Sequence, residues 1–111
     1  MSVASKAVFI VGAKRTPFGS FGGKLKTFSA TDLAVHSSKA ALAQAGLSGD
    51  KIDETFFGNV MASSLDGTYL SRHVALKSGV PVPAPALTVN RLCGSGFEAV
   101  CIGTEAILQV I

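Results

Sequence analysis

An α/β fold with a layered, mixed and partly parallel sheet is the class this sequence predicts, and three observations carry it. Short β-branched and aromatic runs alternate with longer segments of helical character. The order is strand, loop, helix, strand, helix, strand, helix, which lays helices over a sheet with parallel neighbours. The first run, Ala7–Val11, is apolar at every position and so reads as a strand buried on both faces. The composition is also apolar for 111 residues: 48% hydrophobic and only 15% charged, with a mean hydropathy of +0.45. A typical soluble domain is about 25% charged, and a lone small domain leaves much of its surface wet. The whole of 1–111 therefore reads as one incomplete domain of a larger body that covers its surface.

Each element has its own signal. After Ala7–Val11, Pro17 stops regular pairing, and Gly19, Gly22 and Gly23 make the next stretch a loop. Ser29 with Asp32 three residues on forms a capping box that opens a helix. Leu33, Ala40, Ala41 and Leu42 give that helix an apolar stripe, and Gly46 stops it. Thr55–Val60 is rich in β formers and predicts the second strand. Residues 61–68 form a small-residue loop. Leu70–Ser78 predicts a helix ending at Gly79, and Pro81, Pro83 and Pro85 forbid helix up to Ala86. Ala86–Asn90 predicts the third strand. From Phe97 to Ile111 the chain is apolar nearly all round, with Glu98 and Glu105 its only charges, so this helix is expected to be buried. It carries no stop signal, and the chain is expected to be a fragment ending in that helix.

Charge and cysteine usage exclude several functions. The net charge is +3 with a pI near 9.1, without a dense basic stripe interleaved with aromatics, which argues against nucleic-acid binding. Apolar runs fall short of the roughly 18 residues a membrane span requires. The two cysteines, Cys93 and Cys101, are spaced C-x7-C, and neither a second cysteine pair nor a histidine pair completes a zinc site. On one helix they would stand about 12 Å apart along the axis, too far for a disulfide. Free thiols fit a reducing compartment. From Met1 to Thr31 there is no acidic residue, while Lys6, Lys14, Arg15, Lys24 and Lys26 are basic. Such a leader is of the kind that directs proteins to mitochondria, here expected to stay uncleaved because it also encodes the first strand and loop.

The chemistry concentrates at Leu87–Thr104, LTVNRLCGSGFEAVCIGT. Cys93 sits between a strand and a helix, and unpaired N–H groups at a helix start favour an anion there. Gly94 and Gly96 leave room for a substrate and let the backbone turn sharply. The alternative is a buried, inert cysteine. Cys101 reads as a small buried hydrophobe. Gly19–Lys24 fails as a phosphate loop: three residues separate Gly19 from Gly23 where four are required, and Leu25 replaces the magnesium-binding Ser or Thr. His36, on a polar helix face, and His73, beside Arg72, each lack a second metal-type ligand and read as structural.

Taken together, Lys14–Gly19 (KRTPFG), Gly58–Val60 (GNV), Tyr69–His73 (YLSRH) and above all Asn90–Gly96 (NRLCGSG) resemble the N-terminal part of thiolases. The resemblance runs nearly end to end, and the Asn-Arg-Leu before the cysteine is most similar to the mitochondrial 3-ketoacyl-CoA branch. It implies one αβα half of a five-layer αβαβα sandwich. It implies that Cys93 attacks a 3-ketoacyl-CoA, that acetyl-CoA leaves, and that a second CoA thiol removes the acyl group; the reverse Claisen condensation is the biosynthetic counterpart. The Cys93 backbone N–H would contribute to an oxyanion hole. CoA would be a substrate, with no cofactor and no metal. A homodimer or homotetramer in the mitochondrial matrix is implied, with the cytoplasm as alternative. The family's activating histidine, second cysteine, Asn–water–His site and CoA-binding loops match no residue here, so the fragment alone is expected to be inactive. A ketoacyl-synthase-like condensing enzyme is less well matched, because such enzymes usually lack the Lys-Arg-Thr-Pro-Phe-Gly opening. A non-catalytic thiolase-like packing subunit is the reading from another class.

Overall fold

The structure, a computed structural model, describes residues 6–110. Residues 1–5 of the basic leader and Ile111 at the end of the last predicted helix lie outside the described residues. Helix α1 spans Ala30–Ala45. Ser29 caps it as the spacing predicts: its hydroxyl accepts from the Asp32 N–H at 3.0 Å, and the Asp32 carboxylate accepts from the Ser29 N–H at 3.0 Å. These two bonds hold the Asp32 carboxyl below its ordinary value. Gly46 closes the helix with φ 69°, a left-handed conformation in which a side chain would be strained.

Strand β1 (Thr55–Gly58) and strand β2 (Ala86–Val89) pair in parallel, with Thr55 opposite Ala86 and Gly58 opposite Val89. Between them runs helix α2, Leu70–Lys77, followed by Gly79 at φ 87°. Helix α3, Ser95–Gln109, follows β2. Thr88 points toward α2, since its hydroxyl accepts from the Ser71 N–H at 3.1 Å. Its register partner Phe57 shares that face, and Gly58, the next residue, faces the other way toward Ser95 of α3. The sheet is thus sandwiched between α2, against which α1 packs, and α3. Short 3₁₀ turns at Gly49–Lys51 and Gly67–Tyr69 add to the elements read from sequence.

The core is small and sits around α2: Leu70, Val74, Ala75 and Val80 are buried. Ser71 ties α2 to the sheet from inside, its hydroxyl donating to the Thr55 carbonyl at 3.1 Å. Arg72 fastens the proline turn by donating to Ala84 O at 3.0 Å and Val82 O at 2.9 Å. Lys6 donates to the Leu108 carbonyl at 3.0 Å and also to the Val110 carbonyl, placing a cation where the dipole of α3 favours one.

Two expectations are corrected. Ala7–Val11 is not a strand: it is irregular, with Phe9 77% and Ile10 82% exposed. A strand exists only by pairing, and the ladder among the described residues is β1–β2, so β-forming side chains without a neighbouring edge leave the backbone irregular. The chain just beyond is anchored to α1 instead, where the Ala13 N–H donates to Gln44 Oε1 at 2.7 Å. Helix α3 is not buried all round either: Phe97, Val100 and Ile107 are at least half exposed. Gly58 and Phe56 of β1 lie against one face, and residues 8–10 line a cleft beside Val100 and Ile107 without burying them. An apolar circumference records what a helix is suited to touch, and this stretch of chain supplies one layer of it.

Candidate active site

The turn between β2 and α3 is built from Asn90 to Ser95. Cys93 stands directly before Gly94, the N-cap of α3, and is exposed and free of disulfide. Sequence reasoning assigned the sharp turn to Gly94 and Gly96. The structure gives it to Leu92, which has φ 49° and is the sole non-glycine residue with positive φ among those described. Gly94 itself has φ −90°; a methyl there would come within 2.7 Å of the Phe97 ring. Gly96 faces open space, so no contact in this structure demands its glycine.

A dense set of hydrogen bonds fixes the turn. Asn90 Oδ1 accepts from the Leu92 N–H at 3.0 Å. Ser95 Oγ accepts from the Arg91 N–H at 2.8 Å and donates to the Leu92 carbonyl at 2.6 Å. The Gly94 N–H donates to Arg91 O at 3.0 Å and the Ser95 N–H to Leu92 O at 3.1 Å. The Cys93 N–H has no hydrogen-bond partner among the described residues. Outside the turn, Arg91 Nη1 pairs with Glu98 Oε2 at 2.6 Å, and the guanidinium lies 5.9 Å from the centre of the Phe97 ring. An unpaired N–H and an exposed thiol therefore meet at the electropositive end of a 15-residue helix.

The other candidates lie apart from this chemistry. Cys101, expected to be buried, is exposed; it falls on α3, whose outer face is uncovered. His36 is exposed on α1, beside an open cleft that Asp32, Lys39 and Lys77 also line. No group of three metal-type ligands occurs among the described residues, and no helix there is long and apolar enough to cross a membrane. His73 is held by Asp66, with Nδ1 3.0 Å from Oδ2, and stacks on Tyr69 at 6.0 Å. The same Asp66 accepts from Ser64 at 2.5 Å and Thr31 at 2.7 Å, tying the loop to both α1 and α2. Sequence reading missed this knot, because nothing local to Asp66 announces a partner 35 residues away. It also passed over Ser95, although a serine beside a helix start is a known back-bonding signal.

Hydrogen bonds from Ser64, then His73, then Thr31 hold the Asp66 carboxyl well below its ordinary 3.8. A depressed folded-state value means that Asp66 contributes stability above the ordinary carboxylate range and loses it as pH falls toward the folded value. Thermal melts of the wild-type chain are therefore expected to fall below about pH 5. The Asp66→Asn chain is expected to start lower at pH 7 and to fall less steeply. Parallel pH profiles for the two proteins would contradict this role.

Comparison with known proteins places this geometry in a family. Residues 8–109 match the model of the thiolase N-terminal domain. The human protein named 3-ketoacyl-CoA thiolase, mitochondrial, is 52% identical over 102 residues, covering 92% of this chain and 26% of that protein. An acetyl-CoA acetyltransferase of Clostridioides difficile is 43% identical over 94 residues, 85% of this chain and 87% of that protein. The solved structure of human mitochondrial 3-ketoacyl-CoA thiolase in complex with CoA superposes with a TM-score of 0.88 over 90% of this chain and 25% of that one. Acat5 thiolase from Ascaris suum, in complex with coenzyme A, gives 0.87 at 35% identity, over 92% of this chain and 26% of that one. The chain thus spans about a quarter of the length of the full-length relatives it matches. With the α/β layering, the parallel pair and the cysteine turn all in place, the chain belongs to the thiolase family, as its N-terminal domain.

Proposed function

We propose that this chain is the nucleophile-bearing part of an acetyl-CoA C-acyltransferase that thiolytically cleaves 3-ketoacyl-CoA. The observation that carries the reading is the exposed Cys93 thiol at the start of α3, beside its own unpaired N–H. The Cys93 sulfur attacks the 3-keto carbon, and the carbon–carbon bond to the acetyl unit breaks. The electron pair of that bond stays with the acetyl-CoA carbon, which takes up a proton, and the acyl group remains on sulfur as a thioester. The Cys93 N–H donates to the oxygen that gains charge as this bond forms. A CoA thiolate then takes the acyl group and frees the cysteine. Dividing the reaction at a covalent intermediate replaces one difficult step with two easier ones. Sulfur suits the task because one thioester is exchanged for another of nearly equal energy.

In this reading acyl-CoA and CoA are the partners, and no metal or prosthetic group takes part. On the same reading the groups that move protons on the acetyl unit lie outside these 111 residues, since no hydrogen bond joins His36 or His73 to the turn from Asn90 to Ser95. Relatives named mitochondrial support a mitochondrial matrix enzyme. Apolar surface such as Phe97 and Val100 supports assembly as a homodimer or homotetramer. The test is a graft: residues 8–109 replace the matching quarter of the human mitochondrial enzyme. Thiolysis of a 3-ketoacyl-CoA at a rate near the parent's is expected, and none from the 111-residue chain by itself. A well-folded graft without acyl-enzyme formation would contradict the reading.

A further inference from the structure

We propose that Ser95 is the positioning residue of the nucleophile, acting by locking Leu92 into its left-handed conformation. This rests on Cys93 being the nucleophile and adds the device that aims it.

A leucine at φ 49° sets its β-carbon against the neighbouring carbonyl, a conformation that branched side chains avoid. Such a residue persists where its surroundings over-determine it. Here the two peptide groups that flank the Arg91–Leu92 pair are bridged by one hydroxyl. Ser95 Oγ accepts from the Arg91 N–H at 2.8 Å and donates to the Leu92 carbonyl at 2.6 Å, so its single proton and an acceptor site are both committed to the turn. Ser95 is 5% exposed, so water cannot readily take over these bonds. It is also held in place from beneath. A β-carbon on Gly58 would lie 2.7 Å from the Ser95 carbonyl carbon and 2.8 Å from its Cβ, so strand β1 passes directly against it. Asn90 Oδ1 fixes the Leu92 N–H at 3.0 Å from the other side.

Cys93 follows Leu92 directly, so the Leu92 dihedrals set where the thiol points relative to the amides that open α3. Without the hydroxyl, Leu92 is free to return to ordinary negative φ, and Cys93 swings away from the helix end. Ser95 is buried beneath the turn and is not itself the reacting group; it acts through Leu92.

Cys101 makes the test self-controlled, because it lies on the same helix and is also exposed. Wild-type and Ser95→Ala chains are treated with iodoacetamide, and modification of each cysteine is followed by peptide mass spectrometry. The Ser95→Ala chain is expected to show a Cys93-to-Cys101 rate ratio at least tenfold below wild type, with the Cys101 rate and the helical circular dichroism unchanged. Adding Leu92→Asn, a residue that tolerates positive φ, is expected to recover a severalfold part of that loss. A ratio within twofold of wild type overturns the proposal, as does failure of Leu92→Asn to recover any of it. Loss of helix, or acceleration of both cysteines together, would make Ser95 a folding residue and also overturn it. A wild-type ratio near one is a different failure: it removes the nucleophile reading, and this inference with it.

Discussion

Replacing Cys93 with serine in the human-enzyme graft is expected to lower thiolysis by on the order of 10⁴-fold or more, the scale seen when a covalent nucleophile is removed. The substitution exchanges one atom, sulfur for oxygen, at an exposed position, so stability is expected to change little. What changes is the chemistry. A serine hydroxyl is a poor nucleophile without a strong base beside it, and no hydrogen bond places a histidine on the turn from Asn90 to Ser95. Any acyl group that did transfer would sit as an oxygen ester, a deeper sink than the thioester from which it came. The measurement is CoA-dependent loss of a 3-ketoacyl-CoA, with intact-protein mass to detect the acyl adduct. Retention of activity within tenfold of the parent would place the nucleophile elsewhere.

Gly58→Ala is expected to be the most damaging of the conservative changes outside the turn. An added methyl would lie 2.7 Å from both the carbonyl carbon and the carbonyl oxygen of Ser95, and 2.8 Å from its Cβ. Two of those atoms are backbone, so no side-chain rotation relieves the clash; α3 must move off β1. Overpacking of this kind costs about 1–3 kcal/mol, which for a domain of this size lowers Tm by roughly 5–15 °C. The displacement falls on the residue that fixes the Cys93 turn. Cys93 alkylation is therefore expected to slow while Cys101, about two turns further along α3, keeps its rate. Unchanged melting would mean that strand and helix are less tightly opposed than these distances require.

The contrast between what could and could not be read from the residues follows from the range of the forces involved. The Ser29–Asp32 box, the Gly46 stop and the α2 boundary at Gly79 are local, and each was legible because the physics spans three or four residues. The parallel pairing of Thr55–Gly58 with Ala86–Val89 followed from the intervening helix, and both strands end slightly earlier than their apolar runs. Ala7–Val11 misled because strand propensity expresses a fit to a neighbouring edge, and among the described residues that edge is not paired with it. Cys101 and the outer face of α3 misled for the same reason: apolar residues are suited to burial, but burial needs a second surface. At the site, Cys93 and the helix start were legible. Gly94 and Gly96 are where a sharp turn is expected, because glycine adopts positive φ freely. The positive φ falls instead on Leu92, held there by Ser95, Asn90 and the close approach of Gly58, and such an arrangement depends on contacts across 37 residues that no local pattern encodes.

The central claim is that the start of α3 makes the Cys93 sulfur reactive, and the two thiols of this chain test it against each other. Both are exposed; Cys93 stands at the electropositive helix start and Cys101 sits two turns along. The measurement is the initial rate of iodoacetamide modification of each cysteine in the native wild-type chain at neutral pH, with the guanidinium-unfolded chain as reference. The expected result is at least tenfold faster modification of Cys93 in the folded chain and equal rates after unfolding. Equal, slow modification of both thiols in the folded chain would contradict it.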